Sequence, residues 1–148
     1  MKRISPRWPV VDRDRVLAKL DEMDGYLGEL RSILPTDLQA YRTVEKRRAC
    51  ERLLQVSVEC ALDVCHQLVA GRRLGLPGAE EDVIDKLESA QLLASDTVAT
   101  LRRMKGCRSI LVHEYGHVLD ELTFEAVTTR LGDFERFKQD VLQVLARY

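Results

Sequence analysis

Aromatic residues are scarce in this chain: three Phe, four Tyr and one Trp make up 5% of its 148 residues. Glycine, with eight, and proline, with four, are few as well. Strands favour aromatic and β-branched residues, and the turns between them favour Gly and Pro. No segment alternates convincingly with period two, so no sheet is predicted. Excess charge of one sign is also missing. The formal net charge is −1, which excludes a surface that is basic overall and leaves room only for a local anion-binding patch. No apolar run approaches a membrane span. The N-terminus, MKRISPRWPV, is basic but lacks the apolar stretch of a secretory signal. No CxxC pair exists among Cys50, Cys60, Cys65 and Cys107. Cys60 and Cys65 are five apart, about 140° around a helix, which suits neither a disulfide nor a shared metal. The cysteines read as small buried hydrophobes in a reducing cytoplasm, and the chain as a cytoplasmic protein without a membrane partner.

What is present is 45% hydrophobic and 32% charged, a mix that favours helices. Residues 1–11 hold Pro6, Trp8 and Pro9 and read as an irregular arm, with one helical domain over 12–148. The first helix is predicted from Asp12 to Leu34. Val16, Leu20, Met23, Leu27, Leu30 and Leu34 are spaced alternately four and three apart, a two-helix packing seam, and Pro35 ends it. A second helix is predicted from Asp37 to Ala70, with Gly71 as its stop. That helix carries two apolar rows: Leu54, Val58, Ala61, Cys65 and Leu68, and Leu53, Val56, Cys60 and Val64. A short helix follows over 80–93. A fourth begins near Thr97, capped by Ser95 or Asp96. A last stretch over 123–147 is broken near Gly132 and Asp133. The expectation is an all-α bundle of about five helices. Two seams on the second helix and a heptad on the first look like more apolar surface than one bundle needs, which points to a homodimer.

The chemically informative segment runs from Arg102 to Gly116. Arg102, Arg103, Lys105 and Arg108 place four basic residues in seven positions just before His113. Arg108 occupies a seam position where an apolar residue belongs. A buried arginine is costly unless paired, and Glu59 and Asp63, one turn apart in the apolar part of the second helix, are the candidate partners. The alternative use of such an arginine is to grip a phosphate. Arg47 and Arg48, in the basic run Lys46-Arg47-Arg48, would extend a nucleic-acid track only if the fold brought them beside Arg102–Arg108. His66, in the apolar second helix, reads as a core or interface histidine.

Arg108-Ser-Ile-Leu-Val-His113-Glu-Tyr115 resembles the R-x4-H-x-Y motif of the HepT family within the HEPN superfamily. Its flanks are similar too: the acidic pair in Glu59-Cys-Ala-Leu-Asp63, a loop with Pro77, a short helix, and the approach Met104-Lys-Gly106-Cys-Arg108. The likeness covers about Arg42 to Leu145. It departs at Ser109, where the family usually has Asn. The resemblance implies a HEPN-like helical fold, a homodimer with two motifs facing one cleft, and a toxin that cleaves RNA, with tRNA as the expected substrate and no metal or cofactor. Arg108 and His113 would be the catalytic pair, supported by Ser109, Glu59 and Asp63, with Arg102, Arg103, Lys105, Arg47 and Arg48 as RNA-binding candidates. It also implies a partner, an MntA-type minimal nucleotidyltransferase antitoxin that silences the toxin by AMPylating the motif tyrosine, Tyr115. A second reading is a catalytically silent HEPN module that binds a nucleotide or such a nucleotidyltransferase.

Two features stand apart from this picture. Arg108 and His113 are five residues apart and diverge by about 140° on a helix. Either the helix ends or bends between them, or Arg108 of one subunit works with His113 of the other. The same residues, His113-Glu114-Tyr115-Gly116-His117, also spell H-E-x-x-H, a zinc-protease signature. Gly116 inside that motif disfavours the helix it needs, and its extended form is absent, with Asp120 and Thr123 in those places.

Overall fold

A computed structural model describes residues 11–113 and 120–147, with the helical backbone alone at 110–113. Among the described residues the chain forms seven helices and no strand: α1 (Arg13–Ile33), α2 (Leu38–Tyr41), α3 (Val44–Gly71), α4 (Glu80–Ser89), α5 (Ser95–His113), α6 (Asp120–Thr129) and α7 (Gly132–Arg147). The two additional helices come from the expected second and last ones, each of which is divided.

Helix α1 starts where the Asp12 carboxylate accepts from Arg15 N at 3.2 Å, a side-chain cap on an otherwise unpaired donor. It ends at Leu34, held extended ahead of Pro35. Asp37 caps the single turn of α2 by accepting from Ala40 N at 2.7 Å. The predicted continuous helix from Asp37 breaks at Thr43, which is extended (φ −61°, ψ 142°). The Thr43 hydroxyl donates to the Ala40 carbonyl at 3.0 Å, so this side chain competes with the helical ladder and closes one helix as the next begins.

The end of α3 differs from expectation in its chemistry. The left-handed residue is Arg73 (φ 51°). Arg73 N donates to Ala70 O at 3.2 Å and Leu74 N to Val69 O at 3.0 Å, the paired bonds of a Schellman stop. Gly71 is still helical. Its lack of a side chain serves packing instead: a Cβ there would lie 2.5 Å from Val11 Cα. Helix α4 ends in the same way at Gln91 (φ 54°), with Leu92 N donating to Leu87 O at 3.1 Å. Leu92 and Leu93, expected inside α4, are buried in the connection instead. Helix α5 begins at Ser95, ahead of the expected start, and the Asp140 carboxylate of α7 accepts from Ala94 N at 2.9 Å. The break between α6 and α7 falls where Gly132 and Asp133 indicate, with Asp133 in the first turn of α7.

Helix α3 is the axis of the bundle. Helix α1 packs along it, α4 and α5 pack on it and on each other, α6 meets α2 and α3, and α7 packs on α5. The α1 heptad Val16, Leu20, Met23, Leu27 and Leu30 is fully buried, as is the α3 row Leu54, Val58, Ala61, Cys65 and Leu68. These residues are therefore packed inside one chain, whereas Leu34 of the α1 heptad and Leu53 and Val56 of the second α3 row are only partly buried. Helix α3 is long and apolar enough to cross a membrane by length and composition alone, but 56% of its most apolar window is buried in this fold. Cys50, Cys60 and Cys65 are buried free thiols, and Cys107 is half-buried and also free. Burial raises the Cys60 thiol to about 11 and the Cys65 thiol to about 12, so both behave as apolar residues. His66 is exposed and so is not a core residue of this chain, because it falls outside the two apolar rows of α3.

Candidate active site

Helix α5 lies between α4 and α7 and presents a different face to each neighbour. Val98, Leu101 and Met104 fill the core, and Cys107 packs against its edge. One turn further on the same seam, Arg108 leaves the apolar environment. Its side chain is 20% exposed and forms an ion pair, through Nη2, with the Glu80 carboxylate at the first turn of α4. Arg108 Nε is buried and makes no hydrogen bond among the described residues.

The partner of Arg108 is thus neither Glu59 nor Asp63. Glu59 accepts from Gln55 Nε2 at 3.1 Å, one turn back on α3. Asp63 lies 3.7 Å from Lys19 of α1, with its side chain 57% exposed. Asp63 therefore faces α1, whereas α5 sits against another side of the axial helix. Removal of Arg108 therefore strands no fully buried carboxylate. Glu80 is 34% exposed, and water solvates it if the arginine is lost.

The other basic candidates are held by carboxylates. Arg102 donates to Glu81 at 3.0 Å, Asp85 at 2.7 Å and Glu88 at 3.1 Å, all on α4. Lys105 reaches Glu81 at 3.4 Å. Glu80, Glu81, Asp85 and Glu88 recur at helical spacing, and Arg102, Lys105 and Arg108 do so on the facing helix. The two stripes pair along the α4–α5 seam. Hydrogen bonds from Arg102 and Lys105 hold the Glu81 carboxyl below its ordinary range, and the three carboxylates raise Arg102. Arg103 turns the other way, toward Asp133 at 3.7 Å and Thr100 Oγ1 at 3.1 Å. Arg47 and Arg48 pair with Glu51 of their own helix at 3.8 and 3.6 Å, and Arg47 also with the buried Asp120 of α6 at 3.8 Å. The Ser109 hydroxyl donates to the Lys105 carbonyl at 3.1 Å.

Helix α5 is continuous from Ser95 to His113, so positions 108 and 113 stand about 140° apart around one axis. Of the alternatives for joining them, an end of the helix between the two is excluded. The side chain of His113, and Tyr115 together with the H-E-x-x-H segment, lie outside the described residues. Glu80 was not legible as a site residue. Three acids opening a helix read as complements of its dipole. The available signal was the match between the acidic stripe of α4 and the basic stripe of α5.

Comparison with known proteins agrees with the motif. The family described as ribonuclease HepT-like matches residues 23–141, most of the chain. A Shewanella oneidensis protein described as mRNA nuclease HepT is 29% identical over 84 residues, 57% of this chain and 63% of its own length. An Aphanizomenon flos-aquae protein described as tRNA nuclease HepT is 23% identical over 124 residues, 83% of this chain and 84% of its own. Among solved structures, a tri-AMPylated Shewanella oneidensis HEPN toxin in complex with an MNT antitoxin superposes with a TM-score of 0.81 at 21% identity, covering 88% of this chain and 98% of that one. The last likeness carries the fold, the family match carries the descent, and the chain therefore belongs to the ribonuclease HepT-like family.

Proposed function

We propose that this protein is a ribonuclease toxin that cleaves RNA without a metal ion and is silenced by a nucleotidyltransferase antitoxin of the MntA type. The observation that carries the reading is Arg108. It is an arginine at a core position of α5, restrained at one nitrogen and partly open to solvent, five residues ahead of His113 within the family-matched segment. RNA brings its own nucleophile. His113, an imidazole whose ordinary pKa lies near about 6.5, takes the proton from a 2′-hydroxyl as O2′ attacks the adjacent phosphorus. The O5′–P bond breaks, O5′ regains a proton, and a 2′,3′-cyclic phosphate remains. Arg108 balances the charge that builds on the phosphorane oxygens. Because positions 108 and 113 diverge on a continuous helix, the reading places Arg108 of one subunit with His113 of a second in a homodimer. Transfer RNA is the proposed substrate class and the cytoplasm the proposed compartment, in keeping with the free thiols.

Silencing would act at Tyr115. A phenol accepts an adenylyl group, and AMP two residues from His113 adds bulk and negative charge where a phosphate must bind. A second reading, a silent HEPN module, draws support from Ser109, whose hydroxyl is spent on its own helix and does not supply the polar group usual after the motif arginine.

The purified protein is to be incubated with total RNA in excess EDTA, beside the His113→Ala variant. EDTA-resistant cleavage leaving 2′,3′-cyclic ends, and reduced about 100-fold or more in the variant, is the expected result. A folded wild-type protein that leaves RNA intact would establish the silent module instead.

A further inference from the structure

We infer that Glu80 is a positioning residue for Arg108. The inference rests on the ribonuclease reading of that arginine and adds a residue outside the R-x4-H-x-Y motif. Glu80 is the first residue of α4, 28 positions before Arg108. It reaches the arginine because the acidic stripe of α4 is zipped to the basic stripe of α5. Arg102 is gripped by three carboxylates of α4 and Lys105 by Glu81, which fixes the rotation of α5 against α4. Glu80 is the terminal rung.

The geometry of the rung gives it a role beyond packing. A guanidinium is a rigid planar fork with donors on Nε, Nη1 and Nη2. Glu80 takes Nη2, Nε is buried without a hydrogen-bond partner among the described residues, and the Arg108 side chain retains 20% exposure. A carboxylate bonded at one nitrogen locks the plane of the fork and leaves Nη1 for a phosphate oxygen. Without that bond, the same side chain explores its rotamers about a long stem, and the alignment needed as charge develops is lost. Glu80 thus acts on the rate through Arg108 and touches no substrate. A competing carboxylate that merely masked the arginine would have the opposite effect on removal.

The experiment uses the full chain with Glu80→Gln, Glu80→Asp and, as control, Asp85→Asn. Asp85 belongs to the same ladder but touches Arg102, which keeps Glu81 and Glu88. In Glu80→Gln, kcat is expected to fall between about 10- and 100-fold with KM nearly unchanged, the split that marks an interaction needed only in the transition state. Glu80→Asp is expected to recover most of the loss, and Asp85→Asn to cleave like wild type. By NMR, the Arg108 guanidinium is expected to show slow rotation about its Nε–Cζ bond in the wild type and fast rotation in Glu80→Gln. Wild-type or faster cleavage by Glu80→Gln, an equal loss in Asp85→Asn, or an unchanged Arg108 signal would each overturn the inference. If the wild type does not cleave RNA, the ribonuclease reading fails by itself. The rotation of Arg108 then decides whether Glu80 restrains it.

Discussion

The α1–α3 and α4–α5 seams join neighbouring antiparallel helices by different means. In the first, Val16, Leu20, Met23, Leu27 and Leu30 are buried against the axial helix, and charges stay at the margin, as in the 3.7 Å approach of Lys19 to Asp63. In the second, Val83, Ile84, Leu87, Val98, Leu101 and Met104 form the buried layer, and beside it run the ion pairs from Arg102–Glu88 to Arg108–Glu80. Burial of apolar area is strong and non-directional. It stabilises α1 on α3 and tolerates small rotations. Paired charges partly open to water contribute little net stability, but they have a fixed geometry. The seam that gives the fold its stability is therefore the apolar one. The seam that holds Arg108 is charged and partly open to water.

Substitutions on the two sides would sharpen this contrast. Leu27→Ala in the apolar seam is expected to have the largest effect, lowering the unfolding free energy by about 2–5 kcal/mol. Chemical denaturation would show it as a lower midpoint with an unchanged slope, and cleavage per folded molecule is expected to stay at the wild-type level. At the far end of α3, Gly71→Ala is next. Alanine improves helix propensity by about 1 kcal/mol, but its Cβ displaces the Val11 backbone. A net loss of about 1–2 kcal/mol is expected from this overpacking, and a gain in melting temperature would refute the close approach. The smallest effect belongs to the charged seam. The Glu81 carboxyl is held below its ordinary value chiefly by Arg102. It binds a proton less readily when folded than when unfolded. Its contribution is present above the unfolded value of about 4.3 and is lost as pH falls through the lower, folded value. Glu81→Gln should therefore flatten the fall in stability over that acid range, by less than about 1 kcal/mol since the group is exposed. Identical acid-denaturation profiles for variant and wild type would remove Glu81 from the account.

Much of this was written in local pattern. The four-three spacing of α1 and the rows of α3 announced an all-helical bundle, because side-chain direction in a helix follows directly from position. Pro35 marked a real boundary, since its ring acts directly on the residue before it, and Gly132 stands at another as the first residue of α7. Arg108 stood out because a charge at a seam position breaks a pattern that burial otherwise enforces. Less visible were the endings at Thr43, Arg73 and Gln91. There a hydroxyl, or a residue other than glycine in the left-handed region, stops the helix through bonds that leave no compositional mark.

Composition and periodicity determined by themselves that the chain is helical and which faces are apolar, and the resemblance of the segment from Arg108 to Tyr115 to a family motif pointed to a ribonuclease family. Only the tertiary structure decided which carboxylate meets that arginine. Glu59 and Asp63 had the right charge and an apolar setting, but Asp63 turns toward α1, and the packing of α4 on α5 delivers Glu80 instead. It likewise decided that Gly71 serves a close contact with Val11 and that Val16, Leu20, Met23, Leu27 and Leu30 of the α1 heptad are packed within one chain. In each case the partner is remote in sequence or on another helix. The spacing of residues specifies which face of a helix a side chain occupies, while the rotation of one helix against the next is settled by packing in three dimensions.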